Sequence, residues 1–169
     1  MVRVRVCRAA DVDALERCIP SPGVNRFHEA RFRRQELGVS TFLVAFLDDV
    51  PVGSGEILWQ GCGDDRVRQR FPGCPEFSGL IVWPAERRSR GVGTTLIRAA
   101  EARVRRRGHR WIGMGVDDTN PRAAALYLRL GYRDEECRYL DRYHYVDDNG
   151  VRKEAVDPCR FLVKELFLS

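Results

Sequence analysis

The sequence has very little lysine and no long apolar segment. Lys153 and Lys164 are the only lysines, so nearly all the positive charge behind the net charge of +5 belongs to arginine. A charge of this size suits an anionic ligand but does not require nucleic acid. No apolar run approaches the ~20 residues that a membrane-spanning helix needs, and the first residues, MVRVRV, do not resemble a signal peptide. We therefore expect a cytoplasmic protein that binds neither nucleic acid nor membranes.

The six cysteines lack the spacing that would assign them a function. None forms a C-x-x-C pair, and none lies at zinc-ligand spacing from a histidine. We expect reduced thiols, several of them in the core, and no metal site. A disulfide between Cys62 and Cys74, which bracket a loop, is the less favoured alternative.

The chain has the size and composition of one globular domain, with 169 residues, 44% of them hydrophobic and 31% charged. No linker or repeat divides it, so residues 1–169 are predicted to form a single domain. Hydrophobic periodicity and turn residues divide it into secondary-structure elements. Strands are predicted at 2–6, 41–46, 50–59, 76–82, 111–116, 132–146 and 154–168, and helices at 9–19, 25–37, 92–107 and 122–130.

Two of these segments carry more specific expectations. Residues 61–75 have no apolar period and contain three Gly and two Pro, which predicts a surface loop. In the predicted helix 92–107, every fourth residue from Val92 to Val104 is apolar, and Glu101 is expected to face solvent. The basic run 103–107 is interpreted as a solvated helix end, with the phosphates of a bound cofactor as a second role.

The segment 76–93, EFSGLIVWPAERRSRGVG, joins an apolar strand to an arginine-rich turn and the start of a helix. Gly91 and Gly93 let backbone N–H groups approach one another without Cβ clashes. The helix that follows presents free N–H groups and the positive end of its dipole, and the arginines add bidentate donors for phosphate. The pattern favours an anion site over a plain turn with solvated arginines.

Two motifs in this order resemble a known family. Arg88, Gly91 and Gly93 follow the strand in the pattern R-x-x-G-x-G, and Asn120 precedes Tyr127 by seven residues. The chain is similar in both to the GNAT superfamily of acyl-CoA-dependent N-acetyltransferases. The resemblance implies an α/β (α+β) fold, in which a central mixed, mostly antiparallel twisted sheet of roughly six to seven strands is flanked by about four helices.

The resemblance also implies an enzyme, an acyl-CoA N-acyltransferase with acetyl-CoA as co-substrate and no metal. The strand backbone is expected to pair with the pantetheine amides, and an N–H near Val82 is expected to stabilise the oxyanion. The turn is expected to hold the pyrophosphate. The implied cofactor-binding residues are Leu80, Ile81, Val82, Arg88, Ser89, Arg90, Gly91, Val92, Gly93, Thr94, Thr95, Asn120 and Tyr127. The stretch from Val82 to Gly91 is one residue longer than in the family pattern, which leaves open whether Arg87 or Arg88 faces the cofactor.

The resemblance makes Tyr127 the candidate general acid, which protonates the departing thiolate. An acceptor amine with a pKa near ~10.4 must first lose a proton. Glu76, six residues before Val82, and Glu56, on the preceding strand, are the two candidate bases, with a water relay as the third alternative. Since no cysteine is placed to form a covalent intermediate, direct attack in a ternary complex is predicted.

The acceptor is predicted to be a primary amine of a small molecule. Its pocket is expected to be shaped by residues 61–75, residues 25–37 and the C-terminal hairpin, whose Tyr139, Tyr143, His144 and Tyr145 form an aromatic cluster. A peptide or protein amino group, and a non-catalytic acyl-CoA-binding sensor, are the alternatives. Family resemblance also allows a homodimer. His28 and His109 receive no predicted role.

Overall fold

The computed structural model describes residues 1–21, 24–87 and 90–167. Within these ranges the chain forms seven strands and five α-helices. They are β1 (Arg3–Val6), α1 (Val12–Cys18), α2 (Phe27–Glu36), β2 (Ser40–Leu47), β3 (Val50–Leu58), α3 (Asp65–Arg70), β4 (Glu76–Val82), α4 (Val92–Arg106), β5 (Trp111–Asp117), α5 (Pro121–Arg129), β6 (Arg133–Val146) and β7 (Arg152–Glu165). Short 3₁₀ turns lie at Ala9–Asp11 and Ala85–Arg87. Among the described residues, no helix has the length and apolar character needed to span a membrane.

The seven strands form one sheet in the order β1-β2-β3-β4-β5-β7-β6. β4 and β5 are parallel, and every other neighbouring pair is antiparallel. The parallel pair is possible because α4 carries the chain from the end of β4 back to the start of β5. This arrangement confirms the predicted α+β fold with a mixed, mostly antiparallel sheet.

The sheet opens between β4 and β5. The two strands are in register at Glu76 and Gly113, at the start of β4. Further along, the register between β3 and β4 shifts, and Gly79 adopts a φ of +66°. Such a bulge bends the strand that carries it. The remaining part of β4, which contains Leu80, therefore diverges from β5 and leaves backbone groups available to a ligand.

The face of the sheet covered by α4 contains the main core. The apolar residues at every fourth position from Val92 to Val104 are all buried, as their spacing predicts. They pack with Phe77 of β4 and Met114 of β5. This packing holds the start of α4 against the end of β4, because helix and strand share one core.

The prediction that Glu101 faces solvent was wrong. Its side chain lies between α4 and the rest of the molecule and is only 3% exposed. Tyr132 Oη donates to its carboxylate at 2.9 Å, Lys164 Nζ lies 3.1 Å from both of its oxygens, and Arg98 Nη1 donates at 3.0 Å. Two of these partners come from distant parts of the chain, so helical periodicity could not reveal them.

The opposite face of the sheet is covered in two places. Helix α2 packs on β2, and α1 contacts α2 and β3. Leu15 and Ile19 meet Phe42 in a second apolar cluster. Near the other end, α3 contacts β6. The prediction of an irregular loop at 61–75 needs correction, because α3 lies within it and Asp64 caps this helix by accepting from the Arg66 N–H at 2.9 Å.

The six cysteines are all free thiols. Five of them are buried, which agrees with the expectation that several are core residues. Cys62 and Cys74 lie in the apolar cluster beside α3 without a disulfide between them. Burial raises the pKa of each of these two thiols to about 12, so neither is a thiolate at neutral pH.

Candidate active site

A groove of about 470 Å³ lies between the end of β4 and the helices α4 and α5. It brings together both sequence motifs, which are separated by about thirty residues in the chain. Its lining consists of Leu80, Ile81, Val82, Gly91, Gly93, Thr94, Asn120, Arg122, Ala123, Leu126, Tyr127 and Arg129.

The N-terminus of α4 opens into this groove without a side-chain cap. Gly91, which has no side chain to cap the helix, occupies the N-cap position with a φ of +84°. A Cβ on Gly91 would meet no atom within 4 Å, and one on Gly93 would come no nearer than 3.6 Å to its neighbours. These glycines therefore leave space above the helix end, where an anion can approach the N–H groups.

Of the other residues of the turn that were predicted to bind the cofactor, only some line the groove. Thr94 lines the groove, whereas Val92 is buried in the core. Thr95 turns its hydroxyl back to the helix and donates to the Gly91 carbonyl at 2.7 Å, and Arg90 is exposed without lining the groove. Arg88 and Ser89 lie outside the described residues.

Helix α5 supplies four lining residues that the sequence motifs did not single out. Arg122 and Arg129, two turns apart, contribute charge, and Ala123 and Leu126 contribute apolar surface. The helical periodicity of the segment, counted from Asn120 onwards, was the signal in the sequence that could have predicted them. Asn120 itself caps α5 by accepting from the Ala123 N–H at 3.1 Å and also lines the groove.

Tyr127 lies in the second turn of α5 with its side chain buried against the core and facing the groove. Burial raises the pKa of its phenol to about 12. The hydroxyl is consequently protonated at neutral pH and available as a proton donor.

Glu76 begins β4 on the face opposite Phe77, because successive strand residues alternate. Its side chain is buried, and among the described residues no Lys, Arg or His pairs with it. Burial, with a smaller effect from the charge of Asp141, raises the pKa of the Glu76 carboxyl to about 7, while the backbone of Gly115 acts in the opposite direction.

Gly115 on β5 lies against this carboxylate. A Cβ at this position would overlap the hydroxyl of Tyr139 and would lie 3.1 Å from Oε2 of Glu76. The absence of a side chain on Gly115 therefore lets Tyr139 and Glu76 approach one point in the open part of the sheet. Burial and the charge of Glu76 raise the pKa of the Tyr139 phenol.

Glu56 on β3 is also buried, but both of its oxygens are engaged. Arg34 of α2 donates from Nε and Nη2 at 2.8 Å and 2.9 Å, forming a bidentate ion pair. This pairing occupies both of the oxygens that would have to accept a proton from the amine. The geometry disfavours Glu56 as the general base and favours Glu76.

Of the predicted aromatic cluster on the terminal hairpin, only Tyr139 lies beside Glu76. Tyr139 is buried beside Gly115, whereas Tyr143 and His144 are exposed further along β6. The rings of Tyr143 and Tyr145 lie 6.3 Å apart and contact each other. Within the described ranges, no group of three or more His, Cys, Asp or Glu side chains is placed to hold a metal ion.

Comparisons with known proteins show the family and the fold of this chain. The sequence model of the acetyltransferase (GNAT) family matches residues 10–132. A comparison with curated protein sequences finds no match. Among solved structures, IAA acetyltransferase from Bacillus cereus is 18% identical over 98% of this chain and 100% of its own, with a TM-score of 0.65.

Two further solved structures share the same fold. The ribosomal-protein-S18-alanine N-acetyltransferase from Escherichia coli is 14% identical over 100% of this chain and 96% of its own, with a TM-score of 0.65. A GNAT family acetyltransferase from Elizabethkingia anophelis with acetyl-CoA bound is 15% identical over 98% of each chain, with a TM-score of 0.61. Since the family match also covers most of the sequence, the chain belongs to the acetyltransferase (GNAT) family, as its two motifs predicted.

Proposed function

We propose that this enzyme moves the acetyl group of acetyl-CoA to a primary amine of a small molecule by direct attack in a ternary complex. The observation that carries the proposal is a buried carboxylate, Glu76, which has no basic partner among the described residues and lies on the same strand as the groove. Family membership supplies the reaction class, and the described side chains supply the groups that it needs.

The groove offers acetyl-CoA two kinds of contact. The free N–H groups at the start of α4, together with Arg122 and Arg129, provide positive charge and donors for the pyrophosphate. The diverging part of β4, from Leu80 to Val82, provides backbone groups for the pantetheine amides. In this arrangement the thioester lies where β4 and β5 separate, and a β4 N–H stabilises its developing oxyanion.

Glu76 serves as the general base. An alkyl ammonium has a pKa of ~10.4. It gives up its proton more readily to a carboxylate whose pKa is about 7 than to one with the usual pKa of a glutamate, because the two pKa values are then closer together. The neutral amine nitrogen then attacks the thioester carbon. The new C–N bond forms as the C–S bond breaks, and the thiolate takes the proton of the Tyr127 hydroxyl. The second proton on the attacking nitrogen then restores the Tyr127 hydroxyl, which leaves a neutral amide.

The surroundings of Glu76 favour a cationic acceptor. Asp141 lies close enough to raise the pKa of Glu76 further and is the main like charge beside it, because the charge of Glu56 is paired with Arg34. The neighbouring ring of Tyr139 adds an aromatic wall that suits an ammonium group. On this face of the sheet α2 contacts β2 and α3 contacts β6, and a small amine is the acceptor that we propose for the space between them.

We also place the enzyme in the cytoplasm, and the six free thiols support a reducing compartment. Assembly as a homodimer stays a prediction from the family resemblance.

A screen of CoA release tests the proposal. Aminoglycosides, amino acids, polyamines and peptides serve as acceptors, and acetyl-CoA binding is measured by calorimetry. Tyr127→Phe should lower CoA release with the best amine by about 10²-fold, with acetyl-CoA affinity changed less than about threefold. Tyr143→Phe, at an exposed tyrosine, is the matched control and should behave as the wild type.

Two outcomes would contradict the proposal. Turnover on peptides alone would replace the small amine by a peptide acceptor. Binding of acetyl-CoA without turnover on any amine would favour a sensor module instead of an enzyme.

A further inference from the structure

A second groove, of about 440 Å³, lies at the other end of α4. It is bounded by the start of β2, the residue after β3 and the last turn of α4. The residues that matter here are Ser40, Thr41, Trp59, Arg103, Arg106 and Arg107, and no acidic side chain lines the groove. The groove is therefore positively charged.

The three arginines of this groove have no carboxylate partner among the described residues. Elsewhere in the molecule Arg5, Arg34 and Arg160 form ion pairs shorter than 3 Å. Arg103 is instead partly buried beside Arg106, and both burial and this like charge lower the pKa of its guanidinium. Like charges gathered without a counter-ion repel one another, so an anion between them is stabilising.

The groove also contains buried hydrogen-bond donors without partners. Ser40 is only 4% exposed, and its Oγ has no hydrogen-bond partner in the described structure. Nε of Arg103 is also buried and has no hydrogen-bond partner in the described structure. Thr41 Oγ1 accepts from Trp59 Nε1 at 2.9 Å, which leaves the threonine hydroxyl proton free to be donated. Buried donors are rarely left unpaired, so these groups point to a bound acceptor.

Arg107 is held in place by an aromatic ring. Its guanidinium lies 3.7 Å from the centroid of the Trp59 ring, close enough for a cation–π contact. The indole N–H of Trp59 is fixed in turn by Thr41. The guanidinium edge is thus positioned before any ligand arrives, which lowers the entropic cost of binding.

We propose that this groove binds a small oxyanion carrying two or more negative charges, with the chemistry of a phosphate group. Guanidinium and hydroxyl donors match phosphate oxygens in number and geometry, and the volume suits a phosphorylated small molecule or free phosphate. The site is separate from the acetyl-CoA groove, because the 15 residues of α4 place its two ends about 22 Å apart. The expected second role of residues 103–107 beside the cofactor phosphates is therefore reassigned to a different ligand.

Calorimetric titration with inorganic phosphate, and separately with glycerol phosphate, tests the site. Ionic strength is held constant, and saturating acetyl-CoA occupies the other groove. The wild type should bind at least one of the probes, and Arg103→Gln should weaken that binding about tenfold or more. Ser40→Ala should weaken it about threefold. Arg105→Gln removes the same charge from an exposed position outside the groove and should leave the affinity within about twofold.

The proposal is overturned if neither probe binds the wild type. It is also overturned if Arg103→Gln binds as the wild type does, or if Arg103→Gln and Arg105→Gln weaken binding equally, since net charge alone would then explain the affinity. Tighter binding of glycerol phosphate than of inorganic phosphate identifies a phosphate ester as the ligand, and the reverse identifies free phosphate. If Arg103→Gln does not fold, the exposed Arg107 replaces it in an Arg107→Gln variant, judged by the same tenfold criterion.

Discussion

The surroundings of Glu76 and Glu101 show two ways in which this protein contains a buried carboxylate. Their side chains are similarly shielded, with exposures of 7% and 3%. Glu101 is bonded to Tyr132, Lys164 and Arg98. Glu76 has no such partner among the described residues, and the neighbouring Asp141 adds a like charge.

The difference in partners indicates different roles for the two carboxylates. Burial of an unpaired carboxylate costs free energy, whereas partners around Glu101 offset its desolvation. A rise in the pKa of Glu76 from 4.5 to about 7 corresponds to about 3 kcal/mol of destabilisation of the ionised form. Such a cost is typical of sites where proton transfer is needed, so we propose a catalytic role for Glu76 and a stabilising role for Glu101.

The largest effect on stability is expected at Glu101. Glu101→Leu leaves the partly buried ammonium of Lys164 and the hydroxyl of Tyr132 without their acceptor, and it should lower the free energy of unfolding by about 3–5 kcal/mol. Chemical denaturation at pH 7 measures this change.

A double variant sharpens this test. Glu101→Leu combined with Lys164→Met removes both charges, so its loss should be smaller than the sum of the two single losses by about 1 kcal/mol or more. Additive losses, or a change below about 1 kcal/mol for Glu101→Leu alone, would mean that the pair does not stabilise the fold.

A smaller effect of the opposite sign is expected at Glu76. The folded protein raises the pKa of this carboxyl, so its contribution to stability is present below pH 4.5 and is lost as the pH rises through about 7. Glu76→Gln should therefore be more stable than the wild type at pH 9 by up to about 3 kcal/mol, and should match it near pH 4. A variant that is less stable than the wild type at pH 9 would show that Glu76 is paired.

Much of the fold could be predicted because it depends on local patterns. Periodicity predicted the first strand, from the alternation of Val2 to Val6, and α4, from the spacing of apolar residues from Val92 to Val104. Turn residues predicted the hairpin at 147–150. The meeting of the two motifs in one groove was predictable for a related reason, since Gly91 and Asn120 lie at helix ends whose geometry is local.

The missed features depend on contacts between distant parts of the chain. Glu101 looked solvent-facing because its partner Lys164 lies on β7, 63 residues away. α3 was missed because its six residues contain one buried apolar side chain, Val67, too few for a visible period. The groove at Arg103 is lined by residues from the ends of three elements, so no motif within a single segment could predict it.

The central claim, that Glu76 is the general base, is tested most directly by the pH dependence of kcat/KM. With the best amine from the screen, kcat/KM of the wild type should rise with pH through a step centred near pH 7, where Glu76 loses its proton. Glu76→Gln should remove that step and lower kcat/KM at pH 8 by about 10²–10⁴-fold, while Glu56→Gln keeps the step. Persistence of the step in Glu76→Gln, or its loss in Glu56→Gln alone, would contradict this assignment.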